Sequence, residues 1–256
     1  NRDNISASLT TKKTLGDFFE DGLLLADGAH HTCLRKMVQP LFAPHLFPSY
    51  LALSLSIFDQ YFTKYKTLAT LSVHSEMTRL VFANAIAMFL GIQDLSLSDK
   101  ISAAYSTIME KGVESFLKLI LPISSTQAQK ANDWVKQTLH RWLADKKKEK
   151  GTLLFYRNCE ELLLEFGEET FLHNLHFLLF AAHGTTSIAL SFALFHLAQD
   201  AAMQSEVAQF VSANPDSCFS LNDSKRPDLL DGLFFETLRL YPSVPTLFRT
   251  ITRGFD

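Results

Sequence analysis

Apolar residues recur three, four or seven positions apart along most of the chain, which is the spacing of one face of an α-helix. Glycine and proline are scarce, at 10 and 8 residues, and most of them fall between these periodic segments. A weakly alternating segment, "TLFRTIT", predicts one strand at 246–252. No repeat or linker divides the sequence, which therefore predicts a single, mainly α domain over residues 1–256. The predicted helices cover 30–42, 44–66, 73–91, 96–120, 125–150, 159–166, 168–199, 200–214 and 227–241.

The longest apolar run carries no Lys, Arg, Asp or Glu from Thr170 to Gln199. Its middle, "FAAHGTTSIA", nevertheless holds His183, Gly184, Thr185 and Thr186 in a row. The run is long enough to span a membrane, and it also suits a central helix that other helices surround. A third interpretation is that the glycine and the threonines distort the helix into a small polar pocket for a diatomic ligand such as O₂.

A second helix with chemical interest ends in "FFETLRLYP". Glu236 and Arg239 are three positions apart there, so both side chains share one face and form an ion pair. Such a pair is commonly a surface feature of little energetic weight. The flanking Phe234, Phe235 and Leu238 favour a half-buried pair instead.

Composition narrows the classes of partner. The net charge of −3 and the single short basic run at Lys146–Lys148 argue against nucleic acid. Cys33, Cys159 and Cys218 show no metal-binding spacing and indicate reduced thiols on the cytosolic side of a membrane or in the cytoplasm. The first residues have no signal-peptide pattern, and the chain has neither an initial Met nor a recognisable ending, so we expect a piece of a longer protein.

Three motifs in this order resemble the cytochrome P450 family of haem-thiolate monooxygenases. "AAHGTT" is similar to the family's central-helix motif, Ala/Gly-Gly-x-Asp/Glu-Thr-Thr, and "ETLRLYP" to its Glu-x-x-Arg helix about fifty residues downstream. "GAHHTCLRKMVQPLF" resembles an earlier helix, in which His31 and Arg35 match an aromatic or His residue and an Arg. Arg249 matches a further Arg of the family. The resemblance covers the chain from about residue 30 to residue 248.

The resemblance implies a role for each of these positions. Thr185 is expected to be the catalytic hydroxyl that steadies dioxygen and passes protons to it. Glu236 and Arg239 are expected to form a structural ion pair that supports the haem-binding loop. The oxygen-side wall of the haem pocket is expected to be Ala181, Ala182, Gly184 and Thr186, and the haem propionates are expected to meet His31, Arg35 and Arg249.

The sequence departs from the family in two places. Gly184 stands where the family has an acid, which puts the usual proton route in doubt. The Phe-x-x-Gly-x-x-x-Cys-x-Gly loop that supplies the thiolate ligand does not occur before Asp256, so no metal ligand is expected within this chain. The expected fold is therefore a fragment of the cytochrome P450 fold that lacks the N-terminal sheet region and the C-terminal cysteine loop, and this fragment alone is expected to be inactive.

For the whole protein, the resemblance implies haem b as cofactor and insertion of one atom of O₂ into a lipophilic substrate. Electrons are expected from a reductase or a ferredoxin, and nucleic acid is not an expected partner. The branch suggested by His31 predicts a terpenoid, retinoid or sterol substrate, and the location is left open between the cytoplasm and a cytosol-facing membrane surface. Three alternatives remain: a truncated, non-catalytic helical protein that binds an apolar ligand, a di-iron bundle using Glu169, His173 and His176, and a membrane protein built around the apolar helix.

Overall fold

The computed structural model describes residues 4–16, 18–19, 22–117, 126–148, 163–214 and 228–253. In these residues the chain is almost wholly helical, as the sequence predicts. The helices are α1 (Ser8–Leu15), α2 (Gly28–Val38), α3 (Phe47–Tyr65), α4 (Val73–Leu90), α5 (Leu95–Leu117), α6 (Thr126–Lys148), α7 (Glu168–Gln199), α8 (Ala201–Ala213) and α9 (Asp228–Leu240). Short 3₁₀ helices occupy Leu23–Leu25, Gln39–Phe42 and Pro44–Leu46.

Helix α7 is the apolar run of the sequence, and it lies at the centre of the fold. It begins after Gly167, whose φ of 80° is a left-handed value, and it ends at Asp200. The Asp200 carboxylate accepts the Met203 N–H at 2.9 Å and so starts α8. Because α7 packs against α4, α5, α6 and α9, it has neighbours on several sides, which explains why no charged residue interrupts it.

The main core lies where α2, α4, α5, α6 and α7 meet. Phe82, Ile86, Tyr105 and Leu179 are completely buried there. A smaller apolar cluster joins α3 to α4 through Ile57, Tyr61, Met77, Leu80, Ala83 and Ala87. Gly91 ends α4 with φ 65° and ψ 18°, the left-handed closure that its position in the sequence predicts.

Two predicted elements differ from the observed ones. The helix predicted over 30–42 is α2 followed by 3₁₀ turns, because Pro40 and Pro44 interrupt regular α-helical hydrogen bonding. The predicted strand reduces to β2, Thr250–Ile251, which pairs antiparallel with β1, Ile5–Ser6, at the other end of the chain. The sequence pattern predicted neither β1 nor α1. Part of the predicted helix at 159–166 and the polar stretch at 220–227 lie outside the described residues.

Asp27 ties the first elements of the chain to α2. Its carboxylate accepts hydrogen bonds from the hydroxyls of Ser6 and Ser8 and from the N–H groups of Ala7 and Ser8. Partial burial opposes ionisation of this carboxyl, but the hydrogen bonds outweigh it and lower the pKa of Asp27. The cluster therefore fixes β1 and α1 against the start of the helix that carries His31 and Arg35.

By length and composition, two helical segments of the described chain are apolar enough to cross a membrane, Gly28–Tyr65 and Glu168–Gln199. The bent pair Val73–Leu90 and Leu95–Glu110 adds a third if it is counted as one span. The second segment is α7, and 22% of its most apolar part is buried within the described chain.

Candidate active site

An apolar cavity of about 560 Å³ lies between α1, α7 and the stretch that follows α9. One wall is the central part of α7, and Arg249 and Thr246 also line the cavity. The other side chains around it are mostly apolar, including Leu15, Leu24, Met109, Phe177, Phe180, Ile188, Val244, Leu247 and Phe248. Its size and lining are those of a site for a small lipophilic molecule.

Two of the four expected oxygen-side residues, Ala181 and Gly184, line this cavity together with the expected catalytic residue, Thr185. Gly184 and Thr185 lie three and four positions after Ala181 on α7, so each shares a face of the helix with it. The other two expected oxygen-side residues are not part of the lining. Ala182 packs against the main core, and Thr186 is exposed.

Thr185 keeps its hydroxyl within the helix. Its Oγ1 donates to the Ala181 carbonyl at 3.1 Å, and its own carbonyl accepts a hydrogen bond from Ser243 Oγ at 2.7 Å. The helix is regular throughout 168–199, so the distortion predicted from the glycine and threonines is absent from α7. Thr185 is thus accommodated through a local bond to a helix carbonyl rather than through a bulge.

Gly184 separates two cavities. It lines the apolar cavity and also a polar one of about 520 Å³ between α4, α5 and α7. A Cβ at this position would lie 3.0 Å from the Cε of Met109, which also borders both cavities. The glycine therefore lets the methionine side chain lie directly against α7 and form the partition.

His183 points away from the apolar cavity. Its Nε2 lies 3.2 Å from Ser102 Oγ and 3.4 Å from Ser106 Oγ, and its Nδ1 lies 3.2 Å from Met109 Sδ. Burial lowers the pKa of this imidazole to about 4, although the contact with Ser102 favours the charged form. The neighbouring charge of His74 lowers the pKa further. His183 is thus a neutral core residue at physiological pH, and it cannot replace the missing acid on the cavity side of α7.

The three residues expected near haem propionates lie in two places. Arg249 lines the apolar cavity, and its Nη1 donates to the neighbouring Phe248 carbonyl at 2.7 Å. His31 and Arg35 lie one turn apart on α2, where Arg35 is exposed and His31 partly so. Neither of these two lines the cavity.

Glu236 and Arg239 form the expected ion pair, but it is exposed rather than half-buried. Arg239 donates from Nε to Oε2 at 2.8 Å and from Nη2 to Oε1 at 2.6 Å, a two-point contact. The two side chains keep 55% and 66% of their accessible surface. The hydrogen bond from Arg239 lowers the pKa of Glu236, and the same bond raises that of Arg239. Phe234 and Phe235, which suggested burial, are exposed as well.

The di-iron interpretation fails on the positions of its ligands. His176 is buried and uses both ring nitrogens: Nδ1 accepts from the Tyr105 hydroxyl at 2.7 Å, and Nε2 donates to Asn132 Oδ1 at 2.8 Å. Glu169 is exposed and lies 3.8 Å from His140 instead. No group of three or more metal-binding side chains occurs in the part of the chain that the structure describes. Cys33 is exposed on α2, and the other two cysteines lie outside the described residues.

Sequence reasoning missed Ser243, Met109, Phe177 and Phe180 as parts of the site. The two phenylalanines are three positions apart on the face of α7 that also carries Ala181 and Gly184, so helical spacing alone predicts that they share its environment. Nothing in the sequence marks Met109 or Ser243, since each reaches α7 from an element far away along the chain.

Comparison with known proteins gives this arrangement a family context. A sequence profile of the Cytochrome P450 family matches residues 3–256. Cytochrome P450 52A3-A of Candida maltosa is 38% identical over 84 residues, and Probable cytochrome P450 6v1 of Drosophila melanogaster is 39% identical over 72 residues. These two matches span 28% and 27% of this chain, and 15% and 14% of the relatives' own length.

The fold also matches a solved structure. Retinoic acid bound cyanobacterial CYP120A1 superposes with a TM-score of 0.77 and 21% sequence identity. The match covers 100% of this chain and 59% of that one. At this level of identity the likeness shows the fold, and the chain corresponds to somewhat more than half of the length of its structural neighbour.

Proposed function

Since this chain belongs to the cytochrome P450 family, we propose that the whole protein is a haem-dependent monooxygenase that inserts one atom of O₂ into a lipophilic substrate. The observation that carries the proposal is the apolar cavity that Ala181, Gly184, Thr185 and Arg249 line together. Small side chains, a few hydroxyls and one cation around an apolar space form a sparse polar set of the kind that orients a lipophilic ligand beside a cofactor.

The residues around the cavity fit haem. Ala181 keeps the side chain on this wall of α7 small, and Arg249 offers a guanidinium suited to a propionate carboxylate. His31 and Arg35, which α2 presents to solvent, are proposed as further propionate partners. When bound, haem supplies the activation of O₂, and the thiolate ligand is expected from sequence outside this chain.

Thr185 is proposed to hold a proton at the edge of the cavity. Its hydroxyl proton lies toward the Ala181 carbonyl, so the oxygen lone pairs are able to accept a hydrogen bond from water in the cavity. Rotation about the Cβ–Oγ1 bond turns the same proton away from that carbonyl and toward the cavity. The hydrogen bond from Ser243 to the Thr185 carbonyl holds this part of α7 against the wall that carries Arg249.

For the substrate we propose an apolar molecule of the terpenoid, retinoid or sterol type. The lining of the cavity supports this class of substrate, because it includes five large apolar side chains, those of Phe177, Phe180, Ile188, Leu247 and Phe248. The cyanobacterial protein with the same fold holds retinoic acid. Electrons are proposed to come from a reductase or a ferredoxin.

Replacing Thr185 by valine tests the proposal directly. Valine keeps the shape and removes the hydroxyl, so we expect the product formed per reductant consumed to fall about tenfold. The measurement compares both quantities in the haem-loaded full-length protein with its reductase. Thr186→Val is the matched control, because Thr186 does not line the cavity. Equal losses in both variants, or no loss in either, would contradict the assignment of Thr185.

Gly184 gives a second prediction. We expect Gly184→Glu to raise the product formed per reductant consumed about twofold, because it restores a carboxylate next to Thr185. Met109 has to move to make room, since even a Cβ would contact its Cε. Gly184→Gln is therefore the control of equal size without charge. If glutamine raises the ratio as much as glutamate, the missing acid is not what limits proton delivery.

The alternative function is a helical protein that binds an apolar ligand without catalysis. The glycine in place of the acid favours it, because the usual proton donor is absent. Absorbance in the Soret region separates the two functions: a band from the full-length protein supports the monooxygenase, and its absence despite haem supply supports the binding protein.

A further inference from the structure

Phe177 and Phe180 form one wall of the apolar cavity, which we call the aromatic wall. The connection between α1 and α2 supports this wall. The Phe19 ring centroid lies 4.7 Å from that of Phe180 and 6.3 Å from that of Phe177, and the latter two side chains line the cavity. Leu24, from the same connection, lines the cavity as well. Because Phe19 itself is buried, its position determines the positions of the Phe177 and Phe180 side chains.

A directed chain of hydrogen bonds holds the first part of this connection. Tyr105 donates to His176, His176 donates to Asn132, and the Asn132 amide donates to the Phe18 carbonyl at 3.1 Å. Asn132 and Tyr105 are completely buried, and His176 is nearly so. Because both ring nitrogens are engaged, the plane of the imidazole is fixed, and Phe19 lies on it with ring centroids 4.7 Å apart.

A second asparagine holds the other part. Asn174 Oδ1 accepts the backbone N–H of Leu23 at 2.9 Å, and its amide donates to the Thr170 carbonyl at 2.8 Å. Asn174 is buried on α7, three positions before Phe177. The bond to Leu23 places the next residue, Leu24, at the cavity. An irregular connection needs such side-chain partners, because its backbone groups have few partners of their own.

We propose that Asn132, His176 and Asn174 are positioning residues that set the shape of the cavity's aromatic wall, and thereby the size of ligand that the cavity accepts. They touch no ligand themselves. They act through Phe19 on Phe177 and Phe180, and through Leu23 on Leu24. The inference rests on the proposed function only in taking the apolar cavity as the ligand site.

The test measures size selection by binding, without turnover. Naphthalene and pyrene are flat, apolar and fluorescent, and they differ in size. Their dissociation constants are measured by fluorescence titration of the full-length protein and of Asn174→Leu, which leaves the Leu23 N–H without its acceptor. We expect the ratio of the two constants to change about fivefold or more in favour of pyrene, because the loosened wall admits the larger ligand.

Two further variants separate positioning from simple loss of stability. Asn174→Asp keeps the acceptor oxygen, and we expect it to keep the wild-type ratio although a buried carboxylate lowers the melting temperature. Trp142→Phe removes another buried hydrogen bond, from the indole to the Leu90 carbonyl at 2.7 Å. Trp142 does not line the cavity, so we expect a lower melting temperature with an unchanged ratio.

If Asn174→Leu does not fold, Leu23→Pro removes the same hydrogen bond from the other side. Proline suits the first position of the 3₁₀ helix, and Gly22 before it is already extended, with ψ 166°. An unchanged ratio in either variant, with an intact Soret band, overturns the inference and leaves the proposed function standing. Failure of the wild-type protein to bind both probes overturns the ligand cavity itself, and the inference with it.

Discussion

Replacing Asn132 by leucine should lower the free energy of unfolding by about 3 to 5 kcal/mol, the largest effect that we expect from a single residue of this chain. Asn132 is completely buried, and it connects the His176 imidazole to the Phe18 carbonyl. Leucine fills the same space but leaves an imidazole N–H and a carbonyl buried without partners. Each such group costs about 1 to 3 kcal/mol. Denaturant-induced unfolding followed by circular dichroism measures the loss.

The matched control for this prediction is Gln137→Leu. It makes a similar amide-to-leucine change on the same helix, but at an exposed position. Its effect should stay within about 0.5 kcal/mol. A loss in Asn132→Leu as small as in the control would show that the network contributes little to stability.

Acidification should destabilise the protein through His183. Its pKa falls from 6.5 in the unfolded chain to about 4 in the fold, so only the unfolded state takes up a proton between these values. Stability from this group is therefore complete above pH 6.5 and decreases as the pH falls, by up to about 1.4 kcal/mol per pH unit. The total loss at pH 4 is about 3 kcal/mol. Unfolding curves at several pH values measure the slope.

Control variants separate the contribution of the His183 imidazole to the pH dependence of stability from the contributions of the charged groups around it. His183→Leu should lack this part of the slope, whereas Ser187→Ala, a buried neighbour on the same helix, should retain it. The other charged side chains that line the same polar cavity are His74, Arg79, Asp99 and Glu110. An equal slope in His183→Leu and in the wild-type protein would show that His183 is not the source of the acid sensitivity.

The central helix, α7, shows how much of the structure could be predicted from the sequence. The absence of charge between Thr170 and Gln199 predicted α7 with its observed ends, because Gly167 and Asp200 mark both boundaries with local chemistry. The resemblance to the family predicted a shared pocket for Ala181, Ala182, Gly184, Thr185 and Thr186. Ala181, Gly184 and Thr185 line one cavity, whereas Ala182 and Thr186 do not. The prediction of α7 succeeded because it depends on residues that are close together in the chain.

Predictions that depended on contacts between elements far apart in the sequence were less accurate. Three apolar neighbours suggested that Glu236 and Arg239 are half-buried, yet burial is decided by what packs over that face, and the pair is exposed. The partners of His176 come from α5 and α6, and no spacing in the sequence links them. A two-residue strand is too short to show a periodic pattern, so the sequence alone could not predict β1, which pairs with β2.

The pairing of β1 with β2 has a consequence for the order of folding. Ile5 pairs with Ile251, and beside them the hydroxyls of Thr10 and Thr250 lie 2.8 Å apart. Contacts between residues so distant in sequence form slowly, because a long loop has to close first, whereas the helix pairs α4–α5 and α5–α6 assemble from near neighbours. Thr10 from the first end and Thr246 from the second both line the apolar cavity. The binding cavity is thus completed only when the two ends of the described chain meet, so a growing polypeptide has most of its helices in place before it can hold a ligand.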